Sequence, residues 1–66
     1  MDWNRVEGNW KQLKGKVKEK WANLTDDDLA RLDGKREQLE GVLQERYGKG
    51  KDAIRKDVDD WLKTLK

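Results

Sequence analysis

The sequence predicts an all-α fold of four short helices, arranged as two αα-hairpins with an approximate internal duplication. Three observations predict it. Apolar residues recur at helical spacing along most of the chain. Proline is absent, so nothing breaks a helix outright. One stretch also occurs twice. Gln12-Leu13-Lys14-Gly15-Lys16-Val17-Lys18-Glu19-Lys20-Trp21-Ala22 returns 26 residues later as Gln38-Leu39-Glu40-Gly41-Val42-Leu43-Gln44-Glu45-Arg46-Tyr47-Gly48. Gln, Leu, Gly and Glu recur unchanged, and Val17, Lys20 and Trp21 are matched by Leu43, Arg46 and Tyr47. Two copies of one pattern suggest two hairpins built on one plan.

The first helix is read from Trp3, Val6, Trp10, Leu13, Val17 and Trp21, one apolar stripe on a helix of about 18–20 residues. Asp2 is its predicted N-cap, and Lys16, Lys18 and Lys20 suit its negative end. A stripe of tryptophans can stack on a ligand, but its helical spacing reads as core. Gly8 and Gly15 fall nearly opposite the stripe at ~100° per residue.

Leu24-Thr25-Asp26-Asp27-Asp28-Leu29 opens the second helix. Thr25 is the N-cap, with its hydroxyl placed to accept from Asp27 or Asp28. Asp26, Asp27 and Asp28 fill the first turn, where the helix dipole favours them, and Asp28 is counted with Thr25 as a capping residue. Leu24 and Leu29 sit at the two ends of a hydrophobic staple. The three carboxylates lack the alternating spacing and the glycine of a calcium loop. This helix is short, about Asp26 to Asp33, and Gly34 ends it in a left-handed conformation.

The third helix is expected from about Lys35 to Tyr47, with Leu39, Val42, Leu43 and Tyr47 on one face and Gly41 opposite. Gly48 is its stop. The fourth starts near Asp52 and carries Ile54, Val58, Trp61, Leu62 and Leu65, with Lys63 and Lys66 at its end.

Sixty-six residues make one small domain, residues 1–66. Charged residues are 45% of the chain, a composition that favours disorder, but the net charge is only +2 and the apolar spacing argues for a fold. Cys, His and Ser are all absent. That removes disulfides, thiolate metal sites, the usual nucleophiles and the usual neutral-pH base. No catalytic, metal or cofactor site is expected. No apolar run approaches the ~20 residues of a membrane span, and no signal peptide is evident. A cytoplasmic, non-enzymatic monomer is expected, with no membrane contact and no cofactor.

Charge is shared unevenly. Residues 1–22 carry six Lys or Arg against three acids, and residues 23–33 carry one Arg against four Asp. Lys11, Lys14 and Lys18 form a basic strip along the first helix. With Lys49 and Lys51 in the turn Gly48-Lys49-Gly50-Lys51, they are the candidate residues for weak, sequence-independent nucleic-acid contact. A solvated flank and a simple turn are the plainer readings.

Taken together, Gly8-Asn9-Trp10-Lys11-Gln12-Leu13-Lys14-Gly15-Lys16-Val17-Lys18-Glu19-Lys20-Trp21, Leu24-Thr25-Asp26-Asp27-Asp28, Gly34-Lys35-Arg36-Glu37-Gln38-Leu39 and Gln44-Glu45-Arg46-Tyr47-Gly48 resemble the CsbD-like family of small bacterial proteins. The resemblance spans almost the whole chain. It departs at Ala22-Asn23, where Gly-Lys is more usual, at Val42, where Lys is common, and at Lys49-Gly50. It implies a cytoplasmic bacterial protein of the general stress response. It also implies two αα-hairpins packed crosswise, similar to SAM-like domains. The family has no established activity, so the resemblance brings no catalytic or binding residue. The expected mode of action is either abundance alone or contact with an unknown partner protein.

Overall fold

The computed structural model describes residues 2–65, and all regular structure among them is helical. The elements are α1 (Trp3–Gly8), α2 (Trp10–Lys20), α3 (Asp26–Leu32), α4 (Arg36–Tyr47) and α5 (Lys51–Thr64). Helix α5 packs along α4, α3 packs on α4, and α1 stays against α2. The radius of gyration is 10.7 Å. A folded chain of this length should measure about 11 Å, so the high charge content does not expand it.

The described residues hold five helices rather than four, because the first predicted helix is divided at Asn9. Its dihedrals, φ −114° and ψ 30°, leave the helical region. Gly8 and Asn9 are both weak helix formers. The Asn9 side chain also competes for the helix's own acceptor: its Nδ2 donates to the Arg5 carbonyl at 3.0 Å. The Asn9 carbonyl then accepts from Gln12 and Leu13 and starts α2.

The break serves the core. Trp3 and Trp10 lie on either side of it, both half-buried against the core. Trp3 Nε1 donates to the Gly34 carbonyl at 2.7 Å, and Trp10 Nε1 donates to the Leu29 carbonyl at 3.2 Å. The two indoles therefore fasten the α1–α2 corner to α3 and the turn after it. The four tryptophans form one chain. Ring centroids are 6.5 Å apart for Trp10–Trp3, 6.3 Å for Trp3–Trp61 and 5.5 Å for Trp61–Trp21, all tilted. Tilted contacts at this range are the favoured geometry for aromatic pairs.

The predicted apolar faces form the core. Val6, Leu13, Val17 and Trp21 come from the first stripe, Leu24, Leu29 and Leu32 from around α3, Leu39 and Leu43 from α4, and Ile54, Val58, Trp61 and Leu62 from α5. Val42, Tyr47 and Leu65 pack against this cluster while staying half-exposed. The sequence repeat is a repeat in burial: Leu13 and Leu39 are buried at equivalent positions, as are Val17 and Leu43.

Caps fall where the side chains can make them. Asp2 accepts from the Arg5 amide at 3.1 Å and starts α1. At α3 the Asp28 amide donates to Thr25 Oγ1 and the Thr25 amide donates to Asp28 Oδ2, both at 3.1 Å, a reciprocal capping box. Helix α3 ends at Asp33, which is itself left-handed at φ 48°, and Gly34 follows at φ 78°. Gly48 closes α4 at φ 65°, its amide donating to the Gln44 carbonyl. Helix α5 begins one residue before Asp52 and carries Lys63 in its last turn. Lys66, also expected there, lies outside the described residues.

Asp28, counted with Thr25 as a capping residue, does more than interact favourably with the helix dipole. In fact Asp28 is buried, Oδ2 completes the capping box, and Oδ1 accepts from Arg46 Nη2 at 3.1 Å. Thr25→Ala should cost about 1 kcal/mol through the lost cap. Asp28→Asn should cost more than Thr25→Ala, because an amide nitrogen must then face either the Thr25 N–H or the Arg46 guanidinium. Urea melts of both variants rank them; the reverse order would mean that Asp28 acts only through the dipole.

Candidate functional site

Helical geometry sends one side of each repeated helix into the core and leaves the other outside. On α2 the outer side is a shallow groove lined by Lys11, Gln12, Lys14, Gly15 and Lys18, with Asp26 and Leu29 of α3 at its wall. On α4 the equivalent side is a wider groove lined by Glu37, Gln38, Glu40, Gly41, Gln44 and Glu45, with Lys51 of α5 at its edge. Gly15 and Gly41 are both exposed, and a Cβ built on either meets nothing within 4 Å. Gly8, on the outer side of α1, is equally open.

These glycines sit inside helices, at positions where alanine would fit. Gly15→Ala and Gly41→Ala should each stabilise the protein by about 0.5–1 kcal/mol, nearly additively, since the helix gains propensity and no contact is crowded. Thermal melts of the single and double variants check this. Destabilisation at either site would place an unseen close contact there.

The basic strip is only partly available. Lys18 Nζ donates to Asp26 Oδ1 at 2.7 Å, joining α2 to α3 within the molecule. Lys11 and Lys14 are exposed on the same groove. Lys49 pairs with Asp57 at 3.1 Å and lines a different groove beside Trp21 and Tyr47. Lys51 borders the acidic groove of α4. The five lysines singled out from the sequence therefore line three grooves.

Sequence reasoning missed Glu40. It lies at the position equivalent to Lys14, yet it is only 4% exposed. Its Oε2 accepts from Arg36 Nε at 2.7 Å, and its Oε1 lies 3.5 Å from Arg55 Nε. Arg36 also donates through Nη2 to Asp59 Oδ1 at 2.7 Å, so the group ties α4 to α5. The signal available was Arg36 four residues before an acid, beside the buried Leu39.

The carboxylate environments fix an acid limit. The Thr25 amide and then Arg46 hold the Asp28 carboxyl below its usual value, and Lys18 and Lys56 do the same for Asp26 and Asp60. A lowered folded-state pKa contributes stability above the unfolded value, about 3.9 for Asp, and that contribution is lost as pH falls through the folded one. No His is present to titrate in the neutral range. Stability should be flat from about pH 5 to 8 and fall below about pH 4. Melts across pH check this; a midpoint of loss near pH 6 would contradict it. Among the described residues, no group of three acids, His or Cys is arranged to hold a metal ion, and no helix is long and apolar enough to cross a membrane.

Fold and surface together define a small all-helical protein with a duplicated helix pattern and oppositely charged outer grooves. The CsbD-like family matches residues 4–56, and the chain belongs to that family. It is 74% identical over 66 residues to UPF0337 protein RPA4217 of Rhodopseudomonas palustris, covering 100% of both chains. It is 77% identical over 65 residues to UPF0337 protein bsl1473 of Bradyrhizobium diazoefficiens, covering 98% of each. To UPF0337 protein YjbJ of Escherichia coli K12 it is 57% identical over 61 residues, 92% of this chain and 88% of that one. These names carry no activity.

Proposed function

We propose that this chain is a non-enzymatic protein of the bacterial general stress response, acting in the cytoplasm by contact with a partner. It is one small domain, monomeric when dilute. The observation that carries this reading is the outward placement of Gly15 and Gly41 on two charged grooves. An exposed helix interior kept at glycine is weaker than it need be, and a surface reserved for close contact explains it. Absence of His, Cys and Ser supports contact rather than catalysis. Family membership supports the stress role.

The test is survival of stationary-phase cells lacking the protein. Restoration by the natural chain but not by a folded Lys11→Glu/Lys14→Glu variant is the expected result. Full restoration by the variant would reject contact through α2.

Exposure of Lys11 and Lys14 favours one other reading, sequence-independent nucleic-acid binding. Because Lys18 is already paired, the groove offers about two phosphate contacts. We expect no binding to duplex or single-stranded DNA or RNA at ~50 mM salt; a saturable shift there would reinstate this reading.

A further inference from the structure

The repeat is broken by charge in a particular way. A shift of 26 positions carries Gln12 and Gly15 onto Gln38 and Gly41, but turns Lys11 into Glu37, Lys14 into Glu40 and Lys18 into Gln44. The same glycine-centred surface is thus presented twice on one molecule, once basic and once acidic. We propose that the α2 groove is a docking surface for the α4 groove of a second copy of this chain. The proposal rests on the contact reading above and commits the partner.

The charges left over within the fold support it. On the α2 side the groove's acid, Asp26, is taken by Lys18, leaving Lys11 and Lys14 without an ion pair. On the α4 side Glu40 is held by Arg36 and lies near Arg55, so Glu37 and Glu45 carry the groove's negative character. Lys51 at the rim and Arg46 beside Glu45 temper that field without forming an ion pair to either carboxylate. Neither Gly15 nor Gly41 places a side chain between two approaching helices. A nucleic acid would fit only the basic groove; a second copy uses both. Because the two faces differ, the contact is heterologous and propagates from copy to copy instead of closing as a symmetric dimer. With few, exposed charge pairs it is weak and sensitive to salt.

Sedimentation equilibrium of the full chain at increasing concentration tests this. The average mass should rise above 7.8 kDa at ~20 mM salt and return to it at ~500 mM. Lys11→Glu/Lys14→Glu and Glu37→Lys/Glu45→Lys should each lower the apparent association constant about tenfold or more. An equimolar mixture of the two variants, or all four changes in one chain, should restore it. Circular dichroism confirms folding, and Lys11→Gln/Lys14→Gln replaces the first variant if reversal unfolds it. A natural chain that stays monomeric at low salt, reversals without effect, or a mixture that does not associate would each overturn the proposal. None of these outcomes decides the survival assay, so the broader contact reading stands or falls separately.

Discussion

Gly34→Ala is expected to lower the stability of this protein by about 2–4 kcal/mol, a large effect for one added methyl. Two independent costs meet there. At φ 78° any L side chain is strained by about 1–2 kcal/mol. A Cβ would also lie 3.2 Å from Glu7 Cγ, 3.3 Å from Glu7 Cα and 3.4 Å from Trp10 Cβ. Two of these atoms belong to the backbone of α1 or to the root of a half-buried side chain, so they yield little. Relief by sliding the turn away would lengthen the 2.7 Å bond from Trp3 Nε1 to the Gly34 carbonyl. Gly48→Ala separates the two costs, because at φ 65° it meets the strain alone, with nothing within 4 Å. That variant should lose about 1 kcal/mol. The Gly34 variant should melt more than about 10 °C lower than the natural chain. Equal losses at the two glycines would mean that the α1–α2 corner does not press on the α3–α4 turn.

Arg36→Met is the second large effect. It leaves Glu40 buried with only Arg55 near it, at 3.5 Å, and frees Asp59 to solvent. Hydrogen bonds to charged groups contribute about 1.5–3 kcal/mol, and removing one partner of a buried pair exposes the desolvation cost of the other. A loss of about 2 kcal/mol is expected. Adding Glu40→Leu should recover most of it, since no buried carboxylate is then left without its partner. The coupling energy from chemical denaturation of both single variants and the double variant measures the pair. Additive losses would show that Glu40 is not held by Arg36.

The sequence made the helical faces legible because their spacing is set by local geometry. Val17 and Leu43, or Ile54, Val58 and Trp61, could be placed in the core from periodicity alone. So could the Thr25 cap, whose bonds stay within one turn. Asn9 was harder. The stripe from Trp3 to Trp21 runs straight through it, and periodicity does not register that the Asn9 side chain and the Arg5 carbonyl would pair. Glu40 was missed, although its partner Arg36 lies only four residues away, and the ion pair of Asp28 was missed as well. Arg55 and Arg46, which complete these contacts, are 15 and 18 residues distant in sequence, and only packing brings them in. The outward glycines of the candidate surface were legible from the 100° rule. The pairing that takes Lys18 out of the basic strip was not, because it depends on where α3 returns along α2.

The tryptophan chain has an optical consequence. Indoles 5.5–6.5 Å apart in series are close enough to exchange excitation. Part of the excitation absorbed by one ring is expected to reach its neighbours before emission. Emission from the natural chain therefore reports the integrity of the Trp10–Trp3–Trp61–Trp21 stack as a unit. Coupled transitions also add to the circular dichroism of the helices, so an ellipticity read as helix content contains an aromatic part. Following a motion at the C-terminal end of α2 alone calls for a variant that keeps its C-cap Trp21 and replaces the other three with Phe.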